Sequence, residues 1–126
     1  MSSIPRILIM NHNRDDMEPY ATAFRNNGFE TVVSDSLLRS IRATREQEPD
    51  LILLNPLLLD PSGVELEQVS RARGGEDPTP LLLIFEDTEG VKSMRLAKKT
   101  LGEVQDFILK PFTPEELMTR VELILL

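Results

Sequence analysis

The residues with chemical reach in this sequence are few, and they fall at the ends of short apolar runs. Asn11 and His12 follow Arg6-Ile7-Leu8-Ile9-Met10, and Asn55 follows Asp50-Leu51-Ile52-Leu53-Leu54. Phe85 closes Pro80-Leu81-Leu82-Leu83-Ile84, and Lys110 follows Asp106-Phe107-Ile108-Leu109. His12 is the chain's only histidine, and with Asp15 or Asp60 it would offer a metal ion an imidazole and a carboxylate. Beside two amides it reads instead as a hydrogen-bonded loop residue, and no metal is expected. Asp60, ahead of Pro61 and the helix cap Ser62, has the setting of a turn residue rather than of an acceptor carboxylate. No nucleophile stands paired with a base, and the absence of cysteine removes thiolates and disulfides. A flavin would want a Ser/Thr/Gly-rich phosphate loop after the first run, which Asn11-His12-Asn13-Arg14 is not. The residue types therefore point away from an enzyme and from any cofactor.

The elements that position these residues alternate in type. Arg6–Met10 reads as a buried first strand. Asp15–Phe24 has Met17, Tyr20, Ala21 and Phe24 at helical spacing and stops at Asn27-Gly28. Pro19 is tolerable only in a first turn, so the helix is expected to start near Asp16 or to be distorted there. Phe29–Val33 is a second, more alternating strand, placed nearer an edge. Asp35 or Ser36 caps a helix that carries Leu37, Leu38 and Ile41 inward and ends before Pro49. Arg39, Arg42 and Arg45 recur along its other side as a solvated face, or as a docking stripe for an acidic partner.

Leu51–Leu54, entered through Pro49-Asp50 and left through a Pro/Asp/Ser/Gly cluster, has the look of a strand covered on both faces. Ser62-Gly63-Val64-Glu65 then starts a helix with Val64, Leu66 and Val69 inward and Gly74-Gly75 at its end. Leu81–Phe85 is another apolar strand. A weaker helix over roughly Glu89 to Leu101 carries Lys92, Arg95, Lys98 and Lys99. Asp106–Leu109 is a fifth strand, and Thr113-Pro114-Glu115-Glu116 opens a last helix with Leu117, Val121 and Ile124 buried.

Alternating strands and helices of this kind make a three-layer αβα sandwich with a parallel sheet. The flavodoxin-like order 2-1-3-4-5 suits a chain of 126 residues and brings the ends of strands one and three together at the switch point, where such sheets place their ligands. Residues 1–126 read as one domain, and the apolar Leu123-Ile124-Leu125-Leu126 suggests a piece of a longer polypeptide. A formal net charge of −7 disfavours nucleic acid. No signal-like start and no apolar run near the ~20 residues of a membrane span lead to the expectation of a cytoplasmic protein without membrane contact.

The layout resembles the receiver domain of bacterial response regulators, the CheY-like superfamily of two-component signal transduction. The residues that carry the resemblance are Asp50–Leu54 with Asn55, Gly63 eight residues beyond it, and Lys110-Pro111-Phe112 ahead of a capped last helix. It covers nearly the whole chain. In working receivers an aspartate accepts phosphate, two carboxylates after strand one hold Mg²⁺, a Thr or Ser ends strand four, and a Lys follows strand five. Carried onto this sequence, Asn55 stands for the phosphoacceptor, Asn11 and His12 for the acidic pair, and Phe85 for the hydroxyl residue. Glu86 replaces a small neighbour and Pro56 follows Asn55. Lys110 alone is kept, and the resemblance implies a cis Lys110–Pro111 bond.

The expectation is a degenerate, phosphorylation-independent pseudo-receiver acting through a protein partner or an attached output domain. The rivals are a receiver switched by another small ligand at the strand ends and a purely structural dimerisation module. The resemblance implies a dimer or output face on the fourth helix, fifth strand and fifth helix, with Lys92, Arg95, Lys98 and Lys99. It also implies a switch aromatic, Phe107, which the bulk of Phe85 is expected to hold outward.

Overall fold

The computed structural model describes residues 4–11, 14–54, 68–75, 77–85 and 104–125. The expected turn after Asn55, the start of the third helix and the whole fourth helix lie outside the described residues.

A parallel five-stranded sheet in the order β2-β1-β3-β4-β5 forms the middle layer. Its strands are β1 (Arg6–Met10), β2 (Glu30–Ser34), β3 (Leu51–Leu54), β4 (Leu81–Phe85) and β5 (Val104–Leu109). Helices α1 (Arg14–Asn26), α2 (Leu37–Gln47) and the last helix (Pro114–Leu125) lie around it. Side chains alternate across a strand, so each apolar run feeds two cores at once. Ile7, Ile9, Leu51, Leu53, Leu82 and Ile84 face α1 and the last helix, meeting Met17, Phe24, Leu117 and Val121. Leu8, Met10, Ile52, Leu54, Leu83 and Phe85 face the other way, with Val69, Leu37 and Ile41. All four residues of β3 are 0% exposed, as a central parallel strand requires. At roughly 1.5–3 kcal/mol for each large apolar side chain fully buried, β3 is a main anchor of the fold.

Two helices differ from expectation. Helix α1 starts at Arg14, which puts Pro19 in its second turn rather than its first. The proline ring is exposed there, and the apolar stripe of Met17, Ala21 and Phe24 holds the helix on the sheet despite the missing N–H. In α2 the cap is Ser36, whose hydroxyl accepts from the Arg39 N–H at 3.1 Å. Leu38, expected inward, is 70% exposed. The face turned to the sheet is instead Leu37, Ser40, Ile41 and Thr44, with Ser40 and Thr44 fully buried. Their hydroxyls bond back to the carbonyls of Ser36 and Ser40 at 2.8 Å each, and Ser40 also meets Ser34 of β2, so the polar atoms are satisfied inside.

The amino-terminal edge of the sheet is tied by one side chain. Arg6 donates through Nε to Glu30 Oε2 at 2.8 Å and through Nη1 to the Gln47 carbonyl, while its backbone N–H reaches Asp50 Oδ2 at 2.8 Å. It therefore joins β1 to β2, to the end of α2 and to the approach to β3. The last helix starts as the sequence requires, with the Glu116 N–H donating to Thr113 Oγ1 at 3.1 Å and Pro114 in the first helical position.

Two substitutions separate the faces of α2. Ser36→Ala should lower stability by about 1 kcal/mol through loss of the cap, whereas Leu38→Ser should stay within about 0.5 kcal/mol of the parent. Urea denaturation of both variants checks this, and a large loss at Leu38 would put that residue in a core.

Candidate functional site

Parallel pairing brings the carboxyl ends of the strands to one edge. Met10 pairs with Ser34 and with Leu54, Leu54 with Leu83, and Phe85 with Leu109. Asn11 follows directly, 4% exposed, its N–H donating to the Ser34 carbonyl at 3.0 Å. Lys110 is half-buried, and its N–H donates to the Phe85 carbonyl at 2.8 Å, which locks two of the expected site positions together through the backbone. The Lys110–Pro111 peptide is cis. Tyr20 of α1 packs its ring 5.3 Å from that of Phe112 and points its hydroxyl at the Phe112 carbonyl, 3.5 Å away, holding the turn after Lys110 against α1.

Of the sequence-derived positions, Asn11, Phe85 and Lys110 thus sit on the same edge of the sheet. His12 and Asn55 lie outside the described residues, as do Asp60, Glu86, Lys92, Arg95, Lys98 and Lys99. Among the described residues no three His, Cys, Asp or Glu side chains gather where they could hold a metal ion. Phe85 is 0% exposed and belongs wholly to the core under β4. A side chain there contributes packing and offers no hydrogen bond to anything at the strand ends.

Phe107 corrects the expectation of an outward ring. It is half-buried, packs against the cluster that contains Phe85, and its ring lies 6.5 Å from the Phe85 ring at a tilt of 59°. The pairing register explains this. Phe107 is paired with Leu83, not with Phe85, so the two rings occupy diagonal positions on the same face of neighbouring strands. At that offset the larger side chain meets its neighbour in a favourable tilted contact instead of occupying its place.

The sequence reading missed a clasp on the outer edge of β5. Asp106 Oδ1 accepts from the Phe107 N–H at 2.8 Å, and Asp106 Oδ2 accepts from Arg120 Nη1 at 2.9 Å. The same Arg120 atom donates to the Phe107 carbonyl at 2.9 Å. Both backbone groups of Phe107 are thereby covered, which blunts an edge strand. An aspartate inside an apolar strand was the available signal, but its partner 14 residues away in sequence could be found only in three dimensions. An open groove beside this clasp, on the outer edge of β5, is lined by Phe107, Ile108, Leu109, Glu116, Thr119 and Arg120.

The strand order defines a flavodoxin-like, doubly wound α/β domain. No family model matches the chain. Over 116 residues it is 31% identical to the DNA-binding response regulator MtrA of Mycolicibacterium paratuberculosis, covering 92% of this chain and 49% of that protein. It is 29% identical over 119 residues to the phosphate regulon transcriptional regulatory protein PhoB of Pseudomonas aeruginosa, covering 94% and 51%. Its fold is similar to that of the chemotaxis response regulator CheY4 of Vibrio cholerae, with a TM-score of 0.80, 17% identity, and coverage of 97% and 99%. Sequence similarity and fold together support a receiver (CheY-like) domain of the two-component response-regulator type. The chain spans about half the length of the curated relatives it matches.

Replacing Phe85 should be felt mainly as lost packing. Phe85→Ala should cost ~3–5 kcal/mol in chemical denaturation and should shift the aromatic NMR signals of Phe107. Unchanged Phe107 signals would mean that the two rings are not coupled.

Proposed function

We propose that this domain signals without accepting phosphate, through contacts with a protein partner or an attached output domain, and that it is not an enzyme. The observation that carries the reading is Phe85, fully buried in the core at the position where the resemblance implies a hydroxyl residue that follows the phosphoryl group. The sequence supplies the rest. Phosphoryl transfer needs a carboxylate oxygen as nucleophile, and Asn55 offers a neutral amide; Mg²⁺ needs hard anionic oxygens, and Asn11 and His12 offer an amide and an imidazole. Lys110 remains, but an ammonium group without metal or acceptor can hold an anion and cannot take a phosphoryl group.

The proposed contact surface is the face of the fourth predicted helix, β5 and the last helix. Lys92, Arg95, Lys98 and Lys99 supply positive charge in the sequence, and the described part adds Glu116, Arg120 and Leu109, which is 39% exposed. Mixed charge around an exposed apolar residue suits a polar, specific contact, including a homodimer. The net charge of −7 argues against this domain itself binding nucleic acid. Among the described residues no helix is long and apolar enough to cross a membrane, and we place the domain in the cytoplasm.

Incubation with acetyl phosphate and Mg²⁺ should leave the intact mass unchanged, for the parent and for Asn55→Asp alike, because the metal carboxylates would still be missing. A stable phospho-adduct between Asn55 and Ser62 would overturn the reading.

For the contact face, Lys98→Glu combined with Lys99→Glu should weaken binding of the partner or output domain in the full-length protein. Binding that is indifferent to this reversal would move the interface elsewhere.

A further inference from the structure

We propose that copies of this chain associate head to tail, the outer face of α2 on one copy seated on the outer face of the last helix on the next. This does not rest on the phosphorylation-independent reading, and it uses a surface on α2 that the fourth-helix face does not include.

The outer face of α2 is basic around an exposed apolar centre. Leu38 is 70% exposed. At about 100° per residue, Arg42 and Arg45 fall within about 60° of one another with Leu38 between them, and Arg39 lies beside them. Arg39 pairs with Asp35 at 3.1 Å, whereas Arg42 and Arg45, both exposed, have no ion pair among the described residues. Glu46, four residues beyond Arg42, falls between Arg42 and Arg39 and is the acidic residue of this face.

The last helix presents the matching pattern in the opposite sign. Leu123 is 64% exposed, and Glu115, Glu116 and Glu122 are exposed around it. Glu115 and Glu122 stack two turns apart on one stripe, Glu116 and Leu123 on the next. Neither Glu115 nor Glu122 has an ion pair among the described residues. The basic side chain of the last helix, Arg120, is occupied by Asp106 and the Phe107 carbonyl.

Complementary sign and an exposed leucine at each face are what argue for a second copy. A foreign acidic partner would account for the α2 arginines alone and would leave Leu123, Glu115 and Glu122 without a role. Since α2 packs on one core and the last helix on the other, the two faces lie on opposite sides of the sheet. The contact is therefore heterologous and continues from copy to copy instead of closing as a symmetric pair. Exposed charge pairs make it weak and sensitive to salt.

Sedimentation velocity of the chain over rising concentration tests this. The expected result is an average mass that climbs past that of a dimer at low salt, with the association constant falling by about tenfold at high salt. Arg42→Glu with Arg45→Glu should be monomeric, as should Glu115→Arg with Glu122→Arg, each checked for intact fold by circular dichroism. An equimolar mixture of the two should associate again, because each acidic face then meets a basic one; so should a variant carrying all four changes. A parent chain monomeric at every concentration would overturn the proposal, and if that chain still bound polyglutamate through the α2 arginines, the face would belong to an acidic partner. Assembly that stops at a dimer and ignores the charge reversals, or a mixture that stays monomeric, would overturn it equally.

Discussion

The structure depends on the burial of β3 from both sides. Leu51, Ile52, Leu53 and Leu54 are each 0% exposed, and they alternate between the two cores. A strand in that position forces helices onto both faces, since either face left open would expose a continuous apolar surface. Parallel neighbours must then be joined by crossovers, so every strand ends at the same edge and the loops that follow are gathered there. The place of the candidate site is thus a consequence of how β3 is covered.

What stands at that edge is unusual for the fold's usual chemistry. Asn11 is buried and its N–H is held by the Ser34 carbonyl, Lys110 is tied through its N–H to the Phe85 carbonyl, and Phe85 is part of the core itself. Backbone pairing keeps these positions in place independently of their side chains. The scaffold thus rests on packing and backbone pairing, which hold whether or not the strand ends carry phosphoryl chemistry. The covered edge at β5 fits the same picture. Asp106 and Arg120 close the backbone of Phe107 to strand addition, so contacts there have to be made by side chains.

Much of this was legible in one dimension, and for identifiable reasons. Apolar runs without alternation announce doubly covered strands, and turn residues at Asn27-Gly28 and Gly74-Gly75 mark ends where the backbone takes positive φ at Gly28, Gly74 and Gly75. The start of the last helix is written locally, because Thr113 accepts from the Glu116 N–H and Pro114 has no N–H to satisfy. The amino acids at the strand ends, Asn11, His12, Asn55, Phe85 and Lys110, are sequence facts, and the proposed function starts from them.

Tertiary structure decided what periodicity could not. An apolar pattern says which residues prefer burial, but the rotation of a helix on its sheet is set by the whole contact face. On α2 that rotation leaves Leu38 in water and takes Ser40 and Thr44 inside, at little cost because their hydroxyls bond carbonyls of their own helix. The relation of Phe85 to Phe107 depended on the register between β4 and β5, which sets the rings diagonally and lets both stay on the core face. The partnership of Asp106 with Arg120 depended on how the last helix lies along the edge strand. In each case the residue types were visible in the sequence; the geometry that gave them their roles came from long-range packing, which a local pattern does not contain.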